Sequence, residues 1–209
     1  MTPIPTNSRS GLRLAAGALA LLFVVVAQVP ATAAQDPNAF IAKVGAKGIR
    51  AVGPEISPAK RLARLRELFQ NNFDITGIGF FALGRYRSIA TPQEQQQFFV
   101  LYPEFTIRAL NARLNEYSAA QFRVTGMRRL DQETLVTSEI TRTDGGRVQL
   151  DWYLTNSDGH YRIIDVAVGG VSMKIALRDQ FASWIQGNGG RFAALLVVLR
   201  QETGAVRAR

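Results

Sequence analysis

Apolar and polar positions follow three successive rhythms along this chain. Before Gln121 the apolar positions recur at helical spacing; from there to Val168 they alternate; beyond a glycine pair the helical spacing returns. The alternation is cleanest in Arg147–Thr155. There Val148, Leu150, Trp152 and Leu154 interleave with Gln149, Asp151 and Tyr153, so one face of that strand is buried. Three more strands are predicted at Phe122–Leu130, Thr134–Thr143 and Tyr161–Val168. Asp131-Gln132, Asp144-Gly145-Gly146 and Ser157-Asp158-Gly159 separate the four with turn residues, and connections this short make an antiparallel meander.

Helix signals precede the meander. Asp36-Pro37 reads as an N-cap followed by Pro at the first helical position, opening a helix through Phe40, Val44 and Ile49 that ends near Gly53-Pro54. Ser57-Pro58 repeats the signal for a helix carrying Leu62, Leu65, Phe69 and Phe73 inside and Lys60, Arg61, Arg64 and Arg66 outside. Asp74 to Ile89 reads as a helix apolar on most sides, with Gly77, Gly79 and Gly84 in it. Each glycine costs roughly 1 kcal/mol relative to Ala, so three of them imply close backbone approach or space left for something else. Thr91-Pro92-Gln93-Glu94 is a capping box for a long helix through Phe98, Leu101, Phe105, Leu110 and Leu114, which Pro103 is expected to kink or split.

The stretch His160–Trp184 joins the meander to the second helical region. Its strand breaks at Gly169-Gly170 and restarts as a helix with Val171, Ile175 and Arg178 on one stripe and Met173, Leu177, Phe181 and Trp184 on another. Gly187-Asn188-Gly189-Gly190 stops that helix, and Arg191–Glu202 forms the last. The expected class is α+β: a helical N-terminal half packed on a four-stranded antiparallel sheet, with two C-terminal helices. No linker or internal repeat divides residues 34–203, which read as one domain; 204–209 read as a flexible tail.

Arg9 and Arg13 precede an uncharged apolar run, Leu14 to Val29, followed by Pro30 and the small-x-small site Ala31-Thr32-Ala33. The run is shorter than the ~20 residues that span a bilayer, so residues 1–33 read as a cleaved secretory signal and the chain as exported to the periplasm. There is no Cys, which excludes disulfides, thiolate metal sites and lipid attachment at a signal Cys. The net charge of +9 becomes +7 without the two signal arginines, because residues 1–33 hold no Asp or Glu. That surplus fits plain solubility or a transient contact with anionic headgroups; nucleic acid is excluded by export and by the lack of a recognition motif.

Catalytic constellations are sparse. His160 is the single histidine and follows a turn, so neither a Ser–His–acid triad nor a multi-histidine metal site can be built. Gly170-Val171-Ser172-Met173-Lys174 does not satisfy the nucleophile-elbow pattern. Asp165, expected on the strand face of Tyr161 and Ile163, either accepts backbone amides at the glycine joint or pairs with an arginine, or else serves as a general base in a cavity.

Three stretches carry a family resemblance. Leu83, Gly84, Tyr86, Ala90, Thr91, Pro92, Gln95 and Phe98 of LGRYRSIATPQEQQQFF form one, VQLDWYL a second, and Asp165, Gly170, Val171, Ser172 and Met173 of IIDVAVGGVSM the third. Together they resemble the MlaC-type, or toluene-tolerance, family, and the match covers most of the chain after the signal. The resemblance implies a periplasmic phospholipid carrier, the auxiliary component of a lipid ABC transport system. Such a carrier shuttles lipid between an inner-membrane ABC transporter complex and an outer-membrane lipoprotein complex and so maintains outer-membrane asymmetry. It implies a curved sheet, an NTF2-like cavity holding lipid tails, a monomer, no cofactor and no metal. A neighbouring hopanoid-associated branch, a small cavity enzyme using Asp165, and an adaptor with a basic face remain as alternatives. Gly169 and Ala167 are small where members carry larger residues, which would reshape the pocket.

A two-tailed lipid buries about 28 methylenes, worth roughly 20 kcal/mol at ~0.8 kcal/mol each, and needs a pocket on the order of 1,000 Å³. The candidate walls are Ile78, Phe81, Leu83, Phe99, Tyr102, Phe105, Leu150, Trp152, Ile163, Val171 and Met173, although for any one of them ordinary core is the favoured reading. Arg85 and Arg87 lie where the apolar run stops, placed to brush a phosphate at the rim.

Overall fold

The computed structural model describes residues 35–113, 117, 119–157 and 159–204. The signal segment 1–33, Leu114, Asp158 of the third turn and residues 205–209 of the tail lie outside the described residues. Four helices come first: α1 (Pro37–Ala51), α2 (Pro58–Asn72), α3 (Ile75–Leu83) and α4 (Pro92–Arg113). The strands are β1 (Gln121–Arg129), β2 (Thr134–Thr141), β3 (Arg147–Ser157), β4 (His160–Val168) and β5 (Val171–Ser172), and α5 (Met173–Gly187) and α6 (Phe192–Thr203) close the chain. The class is α+β, as the periodicity predicts.

Two of the three predicted caps form. The Asp36 carboxylate accepts the amides of Asn38 at 3.1 Å and Ala39 at 3.3 Å, with Pro37 in the first turn. At α4 the box is reciprocal: Glu94 Oε2 accepts the Thr91 amide at 2.9 Å, and Thr91 Oγ1 accepts the Glu94 amide at 3.2 Å. Ser57 makes no side-chain cap bond, so α2 starts on the strength of Pro58 alone. Two expectations are corrected. The helix predicted through Ile89 stops at Leu83, because Gly84 takes φ +49° and passes the chain into a 3₁₀ segment, Gly84–Ser88. And α4 is not split at Pro103. The ring leaves the Phe99 carbonyl without its helical donor, a cost of about 3 kcal/mol; buried Phe98, Tyr102 and Phe105 on either side of Pro103 anchor the helix. Leu110, placed on the buried stripe by spacing, is 38% exposed; Ile107 is buried instead.

The sheet is antiparallel in the order β1-β2-β3-β4-β5. It has five strands rather than four. Gly169 and Gly170 take φ +55° and +84°, as a tight two-residue hairpin demands, and fold Val171-Ser172 back onto Ala167-Val168. The helix expected to begin at Val171 therefore begins at Met173, with Ser172 Oγ accepting the Ile175 amide at 3.2 Å. Two bulges interrupt the register, one extra residue at Thr125 in β1 and one at Ile164 in β4.

Apolar burial is divided among three clusters. Phe40, Ile41 and Val44 of α1 cover the sheet face formed by Val136, Ile140, Leu150, Trp152, Leu154 and Ile163. A helical bundle of α3, α4, α5 and α6 has its own interior around Leu83, Phe98, Tyr102, Phe181, Leu195 and Leu199. Ala51, Leu65, Phe69 and Ile107 form a smaller one that joins α2 to α4. So α1 lies on the sheet, while the bundle stands mostly on its own helices and reaches the sheet at β4.

Glu104 braces α2 against α4. Its carboxylate accepts Arg66 Nη2 and Arg108 Nε, each at 2.7 Å. Burial alone would raise its pKa, but the hydrogen bonds and charges of Arg66 and Arg108 outweigh it and hold the carboxyl below its ordinary value. A depressed folded pKa gives stability that is complete above the unfolded value and is lost as pH falls through the folded one. Glu104→Gln is expected to lose about 1 kcal/mol in urea unfolding at neutral pH, and the gap to wild type should close as pH falls below about 4. An unchanged gap at acid pH would show that the brace is not ionic.

Candidate functional site

The glycine joint is built around one carboxylate. Before its bulge, β4 directs Tyr161 and Ile163 to the α1 side, with Ile163 opposite Leu154. After it, Val166 and Val168 stand opposite Trp152 and Leu150, so Asp165 and Ala167 turn to the other face. The expectation that Asp165 shares a face with Tyr161 and Ile163 is corrected by this single extra residue. Asp165 is buried, and its carboxylate accepts the Val166 amide at 2.8 Å, the Lys174 amide at 3.0 Å and Ser172 Oγ at 2.5 Å. Ser172 Oγ in turn caps α5. The carboxylate thus holds strand, hairpin and helix start together, the first of the roles expected from sequence.

The candidate wall residues fall into two sets. Leu83, Tyr102 and Phe105 lie inside the helical bundle, with half-buried Phe99 packed on it. Ile78 is buried on α3. Leu150, Trp152 and Ile163 lie in the α1–sheet interior, where Trp152 Nε1 donates to buried Ser138 Oγ at 2.8 Å. Met173 is half-buried at the start of α5. Phe81 is half-buried, its ring facing Lys174 Nζ at 5.0 Å and Arg178 Cζ at 5.4 Å from the centroid. Val171 is 58% exposed on the hairpin. Gly79 is a close approach: a Cβ there would lie 2.6 Å from Phe99 and 2.8 Å from Tyr102, so α3 needs a glycine to pack on α4.

The two sets meet at the α2–α3 junction, which the spacing argument did not single out. Phe73 packs against both the α1–sheet interior and the α2–α4 cluster, and Ile75 against both that cluster and the bundle. Phe73 forms a parallel bridge with Ile163, and the Asp74 amide donates to the Ile163 carbonyl at 2.9 Å. Arg162 Nη1 donates to the Asn71 carbonyl at 2.6 Å and the Gln70 carbonyl at 3.4 Å, holding the C-terminal end of α2 to β4. Tyr102 Oη donates to the Ile75 carbonyl, and burial, with the charge of Asp74 adding to it, pushes the Tyr102 phenol up. The signals in the sequence are Asp74, which caps α3 through the Gly77 amide at 2.9 Å, and a cation on a strand whose neighbours Tyr161 and Ile163 are buried.

One open cleft lies at this junction and another past the end of α3. One of about 310 Å³ is lined by Gln70, Phe73, Asp74, Ile75, Thr76 and Arg162. The other, of about 410 Å³, is lined by Gly84, Arg85, Arg87, Ser88 and Gln95. Each is well short of the order of 1,000 Å³ that two acyl tails need. Beside the second, Arg85 Nη2 and Gln186 Nε2 both donate to Tyr86 Oη at 2.9 Å. The Arg85 bond draws the Tyr86 phenol below its ordinary value against the opposing effect of burial, with Gln186 assisting. No helix among the described residues is long and apolar enough to cross a membrane.

An open antiparallel sheet with one helix on its face and a helical bundle against β4, joined through a glycine hairpin, defines an α+β fold shared with known proteins. The family model described as MlaC protein matches residues 50–201, and the chain belongs to that family. Its fold is similar to that of a phospholipid-binding protein from Ralstonia solanacearum, solved in complex with a phospholipid. The TM-score is 0.68 at 21% identity, over 83% of this chain and 99% of that one.

The joint makes a direct prediction. Asp165→Asn keeps the size of the side chain but replaces one acceptor oxygen with a donor. It is expected to lower stability by ~1–3 kcal/mol, read as a shifted urea midpoint with unchanged slope. An unshifted midpoint would mean that the hairpin and α5 hold without this carboxylate.

Proposed function

We propose that the protein is a periplasmic carrier that takes phospholipid by its acyl tails and moves it between an inner-membrane transporter complex and an outer-membrane lipoprotein complex. Membership of the MlaC family carries this reading. The phospholipid held by the Ralstonia protein, which shares the fold along nearly its whole length, supports it. Transport in this form would maintain outer-membrane asymmetry. A hopanoid or another lipid would be carried by the same physics, and the lipid recovered from the protein decides among them.

The tails are proposed to lodge between the two apolar sets, across the seam at Phe73–Ile75. A separation of bundle from sheet would join the Leu83–Tyr102–Phe105 side to the Leu150–Trp152–Ile163 side, and the Arg162 and Asp74 bonds to the α2–β4 junction are what such an opening would break. Tail burial is worth roughly 20 kcal/mol against water, and a bilayer supplies the same, so the site need only match a membrane. Arg85 and Arg87 stand at the surface, where a phosphate contact adds at most ~1 kcal/mol.

Native mass spectrometry of purified protein is expected to show a bound two-tailed lipid; protein that arrives empty and takes none from liposomes would sink the reading. Variants then locate the anchor. Leu83 and Trp152 are too deeply packed to accept a charge and still fold, so half-buried Phe99→Glu and Met173→Glu are the better probes. Lipid occupancy should fall more than about tenfold in the folded glutamate variants, because a charge facing acyl chains costs several kcal/mol. It should stay near wild type in Arg85→Gln/Arg87→Gln. The reverse pattern would make the headgroup the anchor.

A further inference from the structure

Four cations gather where α3 runs into its 3₁₀ segment beside the start of α5. Lys174 and Arg178 are one helical turn apart on α5, and both face the Phe81 ring. The aliphatic part of Arg178 passes Gly84, 3.6 Å from where a Cβ would stand. Gly84 opens the cleft of about 410 Å³ that Arg85 and Arg87 line, and the Arg87 guanidinium lies 3.7 Å above the Phe80 ring. The patch is therefore continuous from Lys174 to Arg87. Among the described residues its one ion pair is Arg178 with Asp179 at 3.2 Å, and no carboxylate pairs with Arg85, Arg87 or Lys174. Ile175, 42% exposed, lies one turn before Arg178 on α5, and Val171, 58% exposed, lies on β5 just ahead of that helix.

We infer that this patch is the surface by which the protein docks on an anionic phospholipid bilayer, with Val171 and Ile175 entering the headgroup layer and the cations meeting phosphates around them. The inference rests on the carrier reading and adds to it the membrane-facing side. Charge complementarity selects the partner's sign. The interleaved aliphatics select a bilayer over an acidic protein, because cations held above apolar rings beside short branched side chains suit the boundary between headgroups and acyl chains. The cleft between Arg85 and Arg87 is open and of a size to admit one phosphate headgroup.

The test is cosedimentation of the purified protein with vesicles of phosphatidylcholine alone and of phosphatidylcholine with about 30% phosphatidylglycerol, at low and high salt. Lipid occupancy is followed in parallel by native mass spectrometry. Wild type is expected to bind the anionic vesicles and to leave them as salt rises. Each cation near the surface is worth about fivefold in partitioning, so Lys174→Glu/Arg87→Glu should bind more than tenfold less. Ile175→Ser should weaken binding without altering its salt dependence. Both variants should keep their co-purified lipid. Wild type that ignores anionic vesicles at low salt while still carrying lipid overturns the docking surface and leaves the carrier reading standing. A charge-reversed variant that binds as wild type overturns it too. Protein that never holds lipid, yet binds vesicles through this patch, removes the carrier reading and not the surface.

Discussion

The architecture depends on the burial of one carboxylate. Asp165 is removed from water on the sheet face away from α1, which is costly unless its oxygens are filled. Two backbone amides and one hydroxyl fill them, and those donors come from the strand itself, from β5 and from the first turn of α5. The direction in which the C-terminal helices leave the sheet is therefore set by hydrogen bonds to one group. The hairpin can be this tight because Gly169 and Gly170 accept positive φ, and the acid faces it because Ile164 is an extra residue. Remove the bulge, and Asp165 would point into the α1–sheet interior among Trp152, Leu154 and Ile163, away from the Ser172 hydroxyl and the Lys174 amide.

That joint has a consequence for packing. By fixing α5 to the end of β4, it lets the bundle be held at one edge of the sheet instead of being spread over it. Apolar burial then divides: α1 covers the sheet, the bundle covers itself, and Phe73 and Ile75 are the side chains common to neighbouring clusters. An interior made of units that touch along a seam can part along it, and the side chains at the seam are the first to lose their partners. Directional bonds cross the seam, from the Asp74 amide to the Ile163 carbonyl and from Arg162 to the end of α2.

Much of this is legible in the residues. Asp36-Pro37 and Thr91 through Glu94 specify helix starts by a mechanism that needs no tertiary partner, and both form. The alternation of Val148 to Leu154 specifies a one-faced strand, and the turn residues specify a meander. What escapes the sequence is what depends on a neighbour. Ile164 looks like any strand residue, and only the register with Tyr153 and Leu154 makes it a bulge. Val171 has helical spacing to Ile175, yet the hairpin claims it for β5. Leu110 has the right spacing on α4 yet is 38% exposed. Arg162 reads as an ordinary exposed cation on a strand; its role appears once the end of α2 is placed beside it. The candidate walls suffer from the same limit, because an apolar residue is recognisable as buried long before it can be said what it is buried against.

The separation of apolar and charged chemistry on the surface follows from the same constraint. α5 must start at the joint, so Lys174 and Arg178, one and five residues into that helix, are carried to the end of α3. There the exposed edges of Phe80 and Phe81 would otherwise meet water. Lys174 and Arg178, the latter paired with Asp179, hold their charged ends over the Phe81 ring, an arrangement that covers apolar surface. Arg85 and Arg87 repeat it on Tyr86 and Phe80. Whatever meets this surface therefore encounters accessible positive charge backed by apolar rings. A rigid lattice of salt bridges would have spent that charge within the protein; cation–ring contacts leave it available to a partner.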